Sequence, residues 1–360
     1  MSWLGFPGSD FLTTWVTRSI LAGGGLAAIG LGALYCFQEK LIYIPKLPGV
    51  PNEMAAYPDR YHMDYEDVWL TTKDGHKLHA WFMQPKGWGG LTSKVRRSRP
   101  SVLFFQENAG NMSYRLPFLF LLSRTLDCSI LAPSYRGYGL SQGRPNEPGL
   151  KLDSQAAFEH LVTRQDVDPR KVAIFGRSLG GAVAIHLTAA NPGKVAALMV
   201  ENTFTSIEDV APKVLPMLSF LLGPRGIANW LVRNKWKNIV EIRKLTGLPL
   251  LLLSSLQDEL LPPSQMRELR AAAPDPKRCT WVEFPYAGHM DAYELARTEY
   301  WPAVAEFFES HGLGASGKAF NEEGLDEDVM NQAKDNDAYK STVNPLAHLT
   351  NPEPPPGMAS

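Results

Sequence analysis

Ile174-Phe175-Gly176-Arg177-Ser178-Leu179-Gly180-Gly181 is the stretch on which the reading of this chain turns. It has the form G-x-S-x-G, with an apolar run before it and a helix-permissive run after it. In so sharp a strand-to-helix turn, the serine adopts a strained backbone that exposes its Oγ. Glycines two residues to either side remove Cβ atoms that would clash there. The following helix aims its N-terminus at the same point, which favours developing negative charge. The pentapeptide alone also fits an ordinary Gly-rich turn, so its flanks must decide.

The flanks alternate. Tyr65–Thr71 and Lys77–Met83 bracket Lys73-Asp74-Gly75 and predict a β-hairpin. Beyond it, short apolar runs at Val102–Phe105, Ser129–Pro133, Val172–Phe175, Val195–Val200, Leu248–Ser254 and Thr280–Phe284 predict buried strands. Helical patterns separate them at Leu116–Arg124, Leu152–Val162, Leu179–Ala190 and Pro263–Ala273, and Thr298–His311 follows the last strand. Such alternation gives an α/β fold: a mainly parallel sheet covered by helices on both faces, with the hairpin as an antiparallel edge. Lys86–Pro100, Gly-rich and then basic, reads as a solvated loop. Phe204–Thr246 interrupts the alternation with a long apolar excursion. A small helical cap over the site explains residues 204–246, and so does a crossover with an extra packed helix.

The ends differ from the middle. After a segment over 1–19, Ile20–Phe37 carries no charge. Eighteen residues at about 1.5 Å each reach about 27 Å, close to the thickness of a bilayer's hydrocarbon. A single transmembrane anchor helix over 20–37 is therefore expected, although five glycines weaken it. The folded α/β domain then spans 41–313. The acidic and Pro-rich remainder, 314–360, reads as a disordered tail. An endomembrane such as the endoplasmic reticulum is the expected location, with the side left open. A net charge of -1 supplies no field for nucleic acid, and Cys36, Cys128 and Cys279 show neither disulfide nor metal-ligand spacing.

A serine hydroxyl needs a base, and the base needs an orienting carboxylate. On a sheet of this kind the order along the chain is Ser, Asp or Glu, then His. Asp258 follows the run Leu248–Ser254, and His289 follows Thr280–Phe284. Both therefore fall beyond the carboxyl ends of consecutive strands, where such sites form. Glu259 and Asp291 are weaker candidates for the carboxylate. For the oxyanion, the backbone N–H of Leu179 is one donor, and that of Asn108, in the loop after Val102–Phe105, is the candidate second.

Four blocks together resemble the membrane-anchored α/β-hydrolase-domain proteins, and most of all the fungal bud-emergence group. They are Gln106-Glu107-Asn108-Ala109-Gly110-Asn111, Tyr135-Arg136-Gly137-Tyr138-Gly139-Leu140-Ser141, the Gly176–Gly181 turn, and Gln257-Asp258-Glu259 with Gly288-His289. The resemblance runs from about Leu41 to Phe308. It implies the α/β-hydrolase fold, a triad of Ser178, Asp258 and His289, and hydrolysis of ester or thioester bonds. Many relatives in the wider group carry His-Gly where this chain has Gln106-Glu107. That change brings a carboxylate near the site unless it turns to solvent. Tyr135–Ser141 reads as structural, with Arg136 as its anchor.

The expected activity is a serine hydrolase acting on a hydrophobic acyl group, in a membrane lipid or an acylated protein, with no metal or organic cofactor. A peptidase or amidase on the same triad, and a catalytically silent membrane scaffold, are the alternatives. Oligomeric state is left open.

Overall fold

The computed structural model describes residues 9–47, 53–214, 216, 219–223 and 226–314. Helix α1 (Ser9–Ile42) leads into the hairpin β1 (Met63–Thr71) and β2 (Lys77–Pro85). The order continues through α2 (Ser93–Arg97), β3 (Ser101–Phe105), α3 (Leu116–Leu126), β4 (Ser129–Pro133), α4 (Glu147–Thr163) and β5 (Val172–Arg177). Then follow α5 (Leu179–Ala190), β6 (Ala197–Glu201), α6 (Ile207–Val214), α7 (Asn238–Glu241) and β7 (Leu250–Ser255). The chain closes with α8 (Ser264–Ala272), β8 (Cys279–Phe284), α9 (Ala292–Leu295) and α10 (Arg297–Ser310).

The eight strands form one sheet in the order β1-β2-β4-β3-β5-β6-β7-β8. Pairing is antiparallel from β1 to β4 and parallel from there on. The strand period of two divides the core in half. Leu103, Phe105, Ile174, Leu250 and Leu252 pack with α4, α5 and α8 on one face. Val102, Phe104, Phe175, Leu251 and Leu253 pack with α3, α9 and α10 on the other. Along β3 to β7 both faces are buried, so these strands read as unbroken apolar runs rather than alternating ones.

Two expectations change, and a third lies beyond the described residues. Lys86–Pro100 is not wholly a solvated loop. Trp88 is buried, α2 forms within the stretch, and Arg99 lies 4.6 Å from the Trp88 ring centre. The acidic tail falls outside the described residues, save its first, Gly314. The transmembrane span is corrected too: among the described residues, no helix is long and apolar enough to cross a membrane. Ile20–Phe37 is helical as part of α1, but its five glycines add length with almost no apolar surface. The helix also outruns the expected anchor at both ends, and its last turns pack on the domain.

Candidate active site

Ser178 stands between β5 and α5 with φ 55° and ψ −121°, a strained conformation for a residue with a Cβ. The neighbouring glycines are required sterically. A Cβ on Gly176 would lie 2.1 Å from the Gly180 carbonyl oxygen, and one on Gly180 would lie 2.0 Å from that of Phe105. The turn is tied to β6 from beneath. The Ser178 N–H donates to the Glu201 carbonyl at 2.9 Å, and the Thr203 hydroxyl donates to the Ser178 carbonyl at 2.7 Å.

Asp258 and His289 meet, as their places after β7 and β8 predict. The ring Nδ1 lies 2.7 Å from Asp258 Oδ2, and both side chains are almost wholly buried. The other carboxylate oxygen of Asp258 accepts the N–H groups of Leu260 and Leu261, at 2.9 and 2.7 Å. Burial by itself would lower the His289 pKa. The Asp258 carboxylate, through its charge and its hydrogen bond, outweighs burial and holds the ring above its ordinary 6.5. The two rival carboxylates serve the backbone instead. Glu259 accepts the His289 N–H at 3.1 Å, and Asp291 accepts the Gly288 N–H at 2.7 Å.

Ser178 and His289 line one cavity of about 480 Å³, together with Leu179 and Asn108. The remaining walls are mostly aliphatic and come from α1, α6, Leu222, Leu231, Val232 and Leu260-Leu261. The serine, base and both candidate oxyanion donors thus share a single apolar chamber. Among the described residues, no group of three or more His, Cys, Asp or Glu is placed to hold a metal ion.

Glu107 faces neither the chamber nor solvent. It is 3% exposed, pairs with Arg115, and lies 3.3 Å from Arg177 Nη1. Burial would raise its pKa, but Arg115 and Arg177 reverse that and hold it below the usual carboxylate range. Arg177 also reaches Glu201 at 2.9 Å, and Glu201 accepts the Tyr300 hydroxyl at 2.7 Å. Arg115 donates on to the Ala109 carbonyl at 2.7 Å. A buried ionic chain therefore fastens the loop after β3 to the serine turn.

Sequence reasoning missed other supports. Asn202, at φ 43°, donates to the His289 carbonyl at 2.9 Å and accepts the Ser255 N–H at 2.8 Å. Its signal was an asparagine at a strand end, a residue that tolerates positive φ and bonds backbone at once. Tyr135 and Tyr138 donate their hydroxyls to the carbonyls of Gln106 and Asn108, at 2.9 and 2.6 Å. Arg136 anchors that loop on Asp153 and Asp74, each at 2.8 Å, as the sequence predicts. Asn111 is folded inward, 2% exposed, and its amide oxygen accepts the Ser113 N–H at 3.0 Å.

Comparison with known proteins agrees with the fold. A family profile described as alpha/beta hydrolase fold matches residues 100–223. The alpha/beta hydrolase domain-containing protein WAV2 of Arabidopsis thaliana is 43% identical over 83% of this chain and 96% of its own length. Protein bem46 of Schizosaccharomyces pombe is 36% identical over 81% of this chain and 93% of its own. An uncharacterized membrane protein of Saccharomyces cerevisiae is 32% identical, over 83% and 99%. Among solved structures, an esterase of Pyrococcus furiosus matches with a TM-score of 0.56 at 16% identity. That match spans 75% of this chain and 99% of the esterase, and the likeness is one of fold.

Proposed function

The chain belongs to the α/β-hydrolase-domain family, and on that premise we propose that this hydrolase is a serine hydrolase of hydrophobic acyl esters or thioesters. Ser178 Oγ attacks the acyl carbonyl while His289 takes its proton. Asp258 keeps the proton of the ring on Nδ1, so Nε2 is free to act as base, and it stabilises the imidazolium that forms. The N–H groups of Leu179 and Asn108 hold the oxyanion. His289 then gives its proton to the departing alcohol or thiol, and water releases the acyl group from Ser178.

The observation that carries this reading is the shared chamber, with a serine and a carboxylate-backed histidine at its polar end and aliphatic walls elsewhere. Those walls favour an acyl chain over a peptide, which brings amide groups that need partners. Residues 204–246 act as the cap. Membrane association belongs to the same reading. It is supported by the description of the yeast relative as a membrane protein and by the exposed Leu21 and Ile29 on α1 and Phe220, Ile227 and Trp230 on the cap. The substrate is then a membrane lipid or an acylated protein.

A serine-directed fluorophosphonate tests the assignment. The purified chain is expected to label, and Ser178→Ala to lose all labelling. Full labelling of that variant would end the proposal. Faster turnover of aminoacyl anilides than of p-nitrophenyl acyl esters would overturn the choice of ester.

A further inference from the structure

Helix α1 is part of the domain at its C-terminal end. Gln38 is 6% exposed and spends its amide on the cap backbone. Its Nε2 donates to the Leu231 carbonyl at 3.0 Å, and its Oε1 accepts the Arg233 N–H at 2.7 Å. Glu39 pairs with Arg233 at 2.6 Å. Just past the helix, Ile44 forms a parallel bridge with Ala109. The Ile44 N–H donates to the Asn108 carbonyl at 2.9 Å, and the Gly110 N–H donates to the Ile44 carbonyl at 3.0 Å. The Asn108 side chain donates to the Ile42 carbonyl at 3.0 Å. The loop expected to hold the oxyanion is thus strapped to the end of α1. Leu34, Leu41 and Ile42 of the same stretch line the chamber that holds Ser178.

Polarity inside the chamber is one-sided. Ser178, His289 and Asn108 stand at the reacting end. The one polar side chain that α1 brings, Gln38, has its amide committed to the cap. A charged or hydrogen-bonding head group has no partner along the α1 wall, whereas an unbranched hydrocarbon chain needs none.

We propose that residues 34–44 are a working part of the active site. Leu34 and Leu41 receive the distal part of a long linear acyl chain, and the strap at 42–44 positions the oxyanion loop. The polar leaving group, glycerol-like or protein thiol, stays outside. The position of α1 then sets both the chain length accepted and the register of the loop. This rests on the serine-hydrolase reading above.

The test uses the full-length chain in detergent with p-nitrophenyl acetate, octanoate and palmitate. Leu34→Trp and Leu41→Trp are expected to lower the palmitate-to-acetate ratio of kcat/KM by roughly tenfold or more, as filling a hydrophobic subsite does. Leu34→Ala, a milder change, is expected to move the preference toward longer chains. Ile44→Pro deletes the N–H of the strap and is expected to lower kcat for every chain length by up to roughly 10²-fold, with KM nearly constant. Ile44→Ala keeps that N–H and is expected to fall far less. Melting curves of each variant show that it is folded. A chain-length profile unmoved in all three leucine variants, or equal losses in Ile44→Pro and Ile44→Ala, would overturn this inference while wild-type labelling at Ser178 leaves the hydrolase reading intact. Failure of the wild-type chain to label would strike the hydrolase reading itself.

Discussion

Glu107 and Arg177 are charged residues with almost no exposure, and each is bound to more than one opposite charge. Breaking such a buried arrangement at one partner costs about 3–5 kcal/mol, because the remaining charge is stranded. Arg177→Met leaves Glu201 and part of Glu107 uncompensated, so urea denaturation is expected to show a loss of that size. At His289 the direction of the pKa governs activity. A protonated ring cannot accept the Ser178 proton, and Asp258 holds the ring protonated to higher pH than an ordinary histidine. The acid limb of kcat/KM is therefore expected above 6.5, with activity rising as pH rises through it. Asp258→Asn is expected to move that limb to lower pH and to cut kcat by roughly 10⁴-fold. A limb that stays in place in the variant would show that another group titrates. Ser178, Asp258 and His289 were legible because each follows a strand end. The fate of Glu107 was not, since its partners Arg115 and Arg177 are fixed by how β3 and β5 lie together in space.

Elements were read from period and length, and strands buried on both faces left a plain signal. Leu250–Ser255 and Cys279–Phe284 fall within two residues of the stretches expected. The turn after β5 is the place where element and site are one object. A methyl on Gly180 would meet the Phe105 backbone oxygen at 2.0 Å, and neither backbone can yield without shifting β3 against α5. Gly180→Ala is accordingly expected to cost more than the 1–3 kcal/mol typical of overpacking. A melting scan would reveal it, and a near-native midpoint would mean that the turn is looser than drawn. The segment Lys86–Pro100 was harder to read. Its glycines and basic residues look like solvated chain, whereas the burial of Trp88 against Arg99 and the Gly87 and Gly89 N–H groups on Asp64 hold it to the domain. Those contacts are absent from any local pattern.

At the scale of the whole molecule, α1 is where sequence and structure part most. An uncharged helix has the same composition whether it meets lipid or protein, so Ile20–Phe37 was read as an anchor alone. The polar residues just after that run carry the missing information. Asn234 gathers three parts of the molecule: its Oδ1 accepts the Tyr43 hydroxyl at 3.0 Å and the Glu147 N–H at 2.7 Å. Tyr43 closes the stretch after α1, Glu147 opens α4, and Asn234 lies in the 204–246 excursion. Trp236 completes the knot by donating Nε1 to the Tyr43 oxygen at 3.0 Å. Asn234→Ala leaves two buried donors without that acceptor, at about 1–3 kcal/mol each. For a domain of this size, each kcal/mol lowers the melting midpoint by about 2–4 °C. The loss is expected to be local before it is global, because the hydrogen bonds of Asn234 go to Gln38, Glu39, Tyr43 and Glu147, all outside the sheet. Hydrogen exchange should therefore quicken at the amides of 38–43 while those of β5 keep their protection. Equal acceleration at β5 would mean that α1 and the sheet unfold as one unit, and that the docking of α1 supports the entire fold rather than the site alone.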